Sequence, residues 1–305
     1  MSKLFTYSLL VFVMFTWGLN IVAIKYMVTY LPPIAMQGIR IFVAGLAALI
    51  VLYFLRDLRK LTRSEWKLAL MAAVFGQLGH HTFLALGLAG TTATNGGLIL
   101  GLIPLTTVIM TMIFLRERPT WLRFFGIFLG FLGVAMVVLQ IGEGIGAVSR
   151  GDLFIFISMV SQAFSFILIR KITVTLSPRQ LTAILLLIGS LMTTSASFIF
   201  EGNVVSAIVG KPSMVWVVFF FSAIIATGLG HIFYNLAIQQ IGAGETAIFN
   251  NLVPFFTLVG AFLFLKEAIL LAQVIGFILI VIGVFLGTGY LEMKTKDKLK
   301  YKKTG

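Results

Sequence analysis

The chain has 305 residues, 59% hydrophobic and 11% charged, with a formal charge of +13. A soluble domain averages about 45–50% apolar and about 25% charged residues. So few charges cannot clothe a soluble surface, which excludes an ordinary cytosolic enzyme and a disordered chain.

The apolar residues fall in continuous runs, so an alternating β-barrel pattern is excluded too. Each membrane-crossing helix needs about 20 apolar residues. Ten such runs are readable, at 4–24, 33–55, 66–88, 93–115, 120–140, 152–171, 180–200, 213–237, 244–265 and 268–289. The first follows Lys3 and carries no small-residue cleavage site, so it reads as a retained span and not a signal peptide. Breaks between runs carry proline or charge: Leu31-Pro32-Pro33, Arg56 to Lys60, Arg116 to Pro119, Ser177-Pro178-Arg179 and Gly210-Lys211-Pro212. The expected fold is an all-α polytopic membrane protein of ten transmembrane helices, with no room for a soluble domain. The polar tail 292–305, with lysines alternating from Lys294 to Lys302, is expected beside anionic headgroups.

The basic residues lie between runs and in the tail, as orientation signals do, and not on one folded surface that could bind nucleic acid. With the N-terminus inside, 18 of the 23 Lys and Arg fall on the cytoplasmic side. Only Lys25, Arg150, Lys211 and Lys266 fall outside, and Arg40 lies within the second span. Both termini are therefore expected in the cytoplasm.

Sliding the chain by 150 residues places Pro104 on Pro254, Glu117 on Glu267, Gly126 on Gly276, Gly133 on Gly283 and His81 on His231. The chain thus reads as two five-helix repeats, 1–145 and 146–290, followed by the basic cytoplasmic tail 291–305. Five is odd, so the second repeat enters the membrane from the opposite side. Inverted repeats of this kind recur in secondary transporters, where one half rocks against the other around a site near the midplane.

The stretches Trp17 to Lys25, Gly38-Ile39-Arg40-Ile41-Phe42, and Pro254 with Phe264-Leu265-Lys266-Glu267 and Gly276 resemble the EamA type of the drug/metabolite transporter superfamily. The resemblance covers nearly the whole chain. It implies a ten-helix inner-membrane carrier of amino acids, other metabolites or drugs, often moved outward, and it leaves the substrate open.

Polar side chains inside spans are costly unless paired, packed inward or facing water. In the eighth span Thr227, His231, Asn235 and Gln239 recur every four residues, with Tyr234 beside them. They form one helix face, read either as the wall of a polar cavity or as an interhelical hydrogen-bond seam. The third span carries Gln77, His80 and His81, whose imidazoles could carry protons or bind a carboxylate, or else stay neutral on a backbone carbonyl or a Ser/Thr hydroxyl. Trp17 and Asn20 share a side of the first helix, where the family resemblance implies a substrate-side role; Gln162 matches Trp17 in the other half at an offset of 145. The fourth span carries Asn95 and Pro104 and the ninth Glu245, Asn250 and Pro254; the paired prolines read either as kinks lining a pathway or as kinks that only shape packing. The candidate substrate-binding residues are accordingly Trp17, Asn20, His80, His81, Asn95, Gln162, His231, Tyr234, Asn235 and Asn250. Arg40 either snorkels outward, binds a substrate carboxylate or anchors helices, the last being preferred. Glu117 and Glu267 are read as structural charges at helix starts. Glycines 126, 130, 133, 276, 283 and 287 allow close helix approach, within the monomer or across a homodimer.

Cysteine is absent, which removes disulfides and thiolate chemistry. Three histidines without a clear carboxylate argue against a metal. Phosphate-loop, zincin and nucleophile–base patterns are missing. Neither enzyme activity nor a cofactor is expected, and the partners are a small-molecule substrate and membrane lipids. The reading is a secondary carrier or facilitator exporting small organic metabolites such as amino acids. Multidrug efflux is the alternative within transport, and a receptor or assembly factor the alternative outside it.

Overall fold

The computed structural model describes residues 3–55, 58–115, 120–138, 149–202, 209–241, 246 and 249–287, without the side chains of 3, 111, 115, 235, 238, 239 and 241. Glu117, Glu245, the Asn235 and Gln239 side chains, the junction near residue 145 and the tail lie outside the described residues.

Every regular element described is helical. The elements are α1 (Lys3–Met27), α2 (Pro33–Leu55), α3 (Arg63–Gly90), α4 (Ala93–Phe114), α5 (Trp121–Val138), α6 (Arg150–Ile172) and α7 (Pro178–Phe200). They are followed by α8 (Ser213–Phe220 running on through Gly230–Ile241), α9 (Leu252–Leu265) and α10 (Leu271–Gly287). The first eight are long and apolar enough to cross a membrane. The last two, of 14 and 17 residues, are shorter apolar helices. Expected and observed ends differ most in α9, read from residue 244 but described as a continuous helix only from Leu252.

Local chemistry sets the starts. Thr62 and Glu65 form a reciprocal capping box at α3, as do Ser149 and Asp152 at α6. Pro33 and Pro178 open α2 and α7 where no amide hydrogen is needed. Past α9, Lys266 takes the left-handed conformation (φ 58°), and the Glu267 amide bonds back to the Ala261 carbonyl (3.2 Å). This turn carries the Glu267 carboxylate across to α4, where it accepts from the Ala93 amide (2.7 Å), the Thr94 amide (3.0 Å) and the Thr94 hydroxyl (2.7 Å). The helix start that Glu267 stabilises is therefore that of α4, and not that of its own next helix.

Packing follows the small residues. The closest pair is α5 with α10, where Gly126, Gly130 and Gly133 meet Gly276, Gly283 and Gly287 backbone to backbone. These glycine faces close on each other within one chain. The other principal pairs are α2 on α7, α1 on α9 and α3 on α6. Among the principal pairs, each has a counterpart when the halves are exchanged: α1 on α9 answers to α6 on α4, and α3 on α6 answers to α8 on α1.

Four interruptions occur at matching places. A π-helical segment, Val74–Gly79, splits α3, and another, Phe221–Leu229, splits α8. They end one residue before His80 and before Gly230, which are 150 residues apart. In α4 the helix breaks at Gly101 and Leu102 and resumes at Ile103; α9 starts after a turn at Asn250 and Asn251. Pro104 and Pro254 are the second and third residues of the segments that follow. The expected proline kinks are thus helix restarts, at positions where a missing amide hydrogen costs little.

Candidate functional site

The interruptions surround a cavity of about 160 Å³ between α1, α3, α4, α6, α8 and α9. α1 presents Trp17, Asn20, Ile21 and Ile24, and α3 presents Gln77, His80, His81 and Leu84. Leu100, Gly101, Ile103 and Pro104 come from the break in α4. Gln162 and Phe166 of α6, Ala226, Thr227 and His231 of α8, and Asn250 and Val253 at the start of α9 complete the wall. Among the described residues no carboxylate lines it.

The π-helical segments loosen the backbone, and side chains from neighbouring helices take up the carbonyls near them, as intramembrane backbone requires. On α8, the Trp17 indole N–H donates to the Ala226 carbonyl (2.8 Å). On α3, Ser161 donates to the Phe75 carbonyl (2.8 Å), Ser165 to the Ala72 carbonyl (3.0 Å) and Ser158 to the His80 carbonyl (2.8 Å). Trp17 also packs against the rings of His231 (5.2 Å between centroids) and Tyr234 (5.1 Å).

Arg40 does not snorkel. It is fully buried and donates to Gln37 Oε1 (2.6 Å), Ser222 Oγ (3.2 Å), Thr227 Oγ1 (2.6 Å) and His81 Nδ1 (3.1 Å). It ties α2 to α3 and to the π-helical segment of α8. Ser222 in turn donates to Asn20 Oδ1 (2.5 Å), which draws α1 into the same network.

Three amide oxygens on the wall, Gln77 Oε1, Gln162 Oε1 and Asn250 Oδ1, are buried without a hydrogen-bond partner. Buried polar atoms are normally satisfied, so three orphans on one cavity mark places where a bound molecule or water can donate.

Seven of the ten candidate substrate-binding residues meet on this cavity: Trp17, Asn20, His80, His81, Gln162, His231 and Asn250. Tyr234 stands one layer back, stacked on Trp17 and accepting from Asn250 Nδ2 (3.0 Å). Asn95 does not line the cavity. It lies in the first turn of α4, where it accepts from Gln273 Nε2 (3.0 Å) and donates to Asp152 Oδ1 (3.5 Å), joining α4 to α10 and α6. That position is at the end of the helix, away from the break at Gly101, so its polar group serves packing. The apolar wall of Ile21, Ile24, Leu84 and Phe166 carried no sequence signal, because such residues fill every span.

The profile of the EamA-like transporter family matches twice, at residues 4–139 and 149–288. The uncharacterized transporter YyaM of Bacillus subtilis (strain 168) is 32% identical over 273 residues, covering 88% of each chain. An uncharacterized transporter of Archaeoglobus fulgidus is 25% identical over 88% of this chain and 94% of its own. The uncharacterized transporter YvbV of Bacillus subtilis (strain 168) is 28% identical over 94% of this chain and 92% of its own. A crystal structure of a protein with 17% sequence identity shares the fold, with a TM-score of 0.68 over 94% of this chain and 97% of that one.

Proposed function

The chain belongs to the EamA-like transporter family and is a multi-pass membrane protein, and on that premise we propose a secondary transporter that carries small organic metabolites, amino acids foremost, outward across the cytoplasmic membrane. The observation that carries this reading is the cavity lined by paired helix interruptions. The π-helical segments of α3 and α8 and the breaks before Ile103 and Leu252 lie at repeat-related positions around it. Discontinuous helices at the interface of two repeats are where secondary transporters build substrate sites.

The lining supports an amphipathic solute. Ile21, Ile24, Leu84 and Phe166 suit an apolar side chain, and the unpaired oxygens of Gln77, Gln162 and Asn250 suit an ammonium or other N–H donor. A volume of about 160 Å³ lies below the roughly 300–1,000 Å³ of pockets that hold drug-sized ligands. That favours a metabolite over broad drug efflux.

The mechanism follows from the two halves, residues 1–145 and 146–290, taken as ten transmembrane helices in inverted repeats with both termini cytoplasmic. A structure whose halves can exchange conformations has two mirror-related states, one open to each side. The correspondence of the principal helix pairs on exchanging the halves supports this reading, as do the two family matches and the basic residues on one side. The substrate-side residues would be Trp17, Asn20, His80, His81, Gln162, His231 and Asn250, with Tyr234 supporting Trp17. Asn235, in the same stretch of α8, is proposed with them on its place in the sequence.

Counterflow in liposomes tests the proposal. Purified protein reconstituted with unlabelled amino acids inside is expected to accumulate labelled amino acid saturably. No flux of any amino acid or metabolite, beside an active control transporter, would contradict it.

A further inference from the structure

Arg40 is a buried cation with only neutral partners, and among the described residues no carboxylate pairs with it. A buried charge is costly without a counter-charge. A guanidinium has five N–H donors, no acceptor, and stays protonated in proteins. Toward His81 Nδ1 it can therefore only donate. The Nδ1 atom must carry a lone pair, and the neutral ring bears its proton on Nε2.

The repeat-related His231 is held the other way. Its Nδ1 lies 2.7 Å from the Thr227 carbonyl, which only accepts, so the proton sits on Nδ1. His80 resembles His231: its Nδ1 faces the Ser158 carbonyl (3.2 Å) and a Ser158 hydroxyl already donating to the His80 carbonyl. In their neutral forms His80 and His231 present lone pairs on Nε2, while His81 presents an N–H. The difference originates in Arg40: at the offset of 145 that relates Trp17 to Gln162 and Pro33 to Pro178, the position answering to it in the other half is Leu185. The two halves thus match in backbone and differ in polarity.

We infer that the cavity selects a ligand bearing an anionic acceptor, in the simplest case a carboxylate, seated on the Nε2–H of His81 with Arg40 behind the ring as its counter-charge. This rests on the reading of the cavity as the substrate site. His81 is the specificity-determining donor, and Arg40 is a positioning residue that fixes its tautomer. A ligand with a positive group and no carboxylate meets the field of Arg40 uncompensated.

The test is direct binding to the purified full chain in nanodiscs, by titration calorimetry, with three probes of one carbon skeleton. These are leucine, 4-methylpentanoate, which lacks the amine, and leucinamide, which lacks the carboxylate. Both carboxylates are expected to bind, and leucinamide roughly tenfold or more weakly, the ratio that a hydrogen bond to a charged group supplies. His81→Gln keeps an acceptor toward Arg40 and a donor toward the ligand, so it retains the preference; His81→Phe keeps neither and loses it. Leucinamide binding as tightly as leucine, failure of both carboxylates to bind, or a preference that survives in a folded His81→Phe variant would each overturn the inference. Carboxylate-selective binding without counterflow would leave it standing and remove the transport proposal. Flux of a cationic solute with no carboxylate binding would do the reverse.

Discussion

A methyl group added at Gly283 should loosen the tightest helix pair in the molecule. Its Cβ would stand 2.5 Å from the Gly130 amide nitrogen and 2.7 Å from the Gly126 carbonyl oxygen. Both atoms are backbone, so no side-chain rotation relieves the clash, and α5 and α10 must move apart. That movement also opens the contact of Gly133 with the Gly276 carbonyl, where a Cβ at Gly133 would stand at 2.6 Å. Overpacking of this kind costs about 1–3 kcal/mol, against a gain of up to about 1 kcal/mol in helix propensity from glycine to alanine. The net expectation for Gly283→Ala is a loss of about 1–2 kcal/mol. Gly228→Ala is the matched control, because its Cβ would meet the Ala223 and Ala44 carbonyls at 3.4 Å, an ordinary contact. Unfolding in mixed micelles, followed by tryptophan fluorescence, measures both. If Gly283→Ala is no less stable than Gly228→Ala, the account of α5 and α10 as a backbone-to-backbone contact fails.

Three further outcomes follow from particular contacts. Glu267→Gln leaves one acceptor oxygen where a carboxylate now serves two amides and a hydroxyl at the start of α4; the same unfolding assay should show a loss of about 1–2 kcal/mol. Trp17→Phe keeps an aromatic ring beside His231 and Tyr234 but removes the donor to the Ala226 carbonyl; stability should fall by about 1 kcal/mol, and an unchanged midpoint would show that this carbonyl has another donor. Because the chain has no cysteine, single cysteines at Lys60 and Lys211 can be labelled without background. An impermeant maleimide should reach them from opposite sides of the membrane, the first from the cytoplasm, and labelling of both from one side would contradict the inside-terminus topology.

The sequence marks element ends well where local chemistry makes them. Pro33 and Pro178 stand where helices begin, whereas the capping residues Thr62 and Ser149 start α3 and α6 ahead of the apolar runs read from 66 and 152. It also singles out most polar members of the cavity, because a polar side chain within an apolar run is conspicuous. The π-helical segments escape such a reading. One extra residue in a turn of a span that is apolar all round leaves hydrophobic periodicity almost unchanged, and Val74–Gly79 and Phe221–Leu229 are of that kind. Partners distant in sequence escape it too. Neither the bond of Arg40 to Thr227 nor the reach of Glu267 to α4 has a local pattern, since each depends on how separate helices are placed. Asn95 shows the converse: its polarity is as conspicuous as that of Asn250, but its position at the start of α4 gives it to packing with Asp152 and Gln273.

The central claim is that one cavity, framed by interrupted helices, opens to each side of the membrane in turn. The direct measurement places a single cysteine at Ile103, an apolar lining position with no side-chain hydrogen bond to lose, and labels it with an impermeant maleimide in right-side-out and inside-out vesicles. Labelling from both sides, slowed in both by a transported amino acid, is the predicted result. Labelling from one side only, whatever solute is present, would contradict alternating access through this cavity.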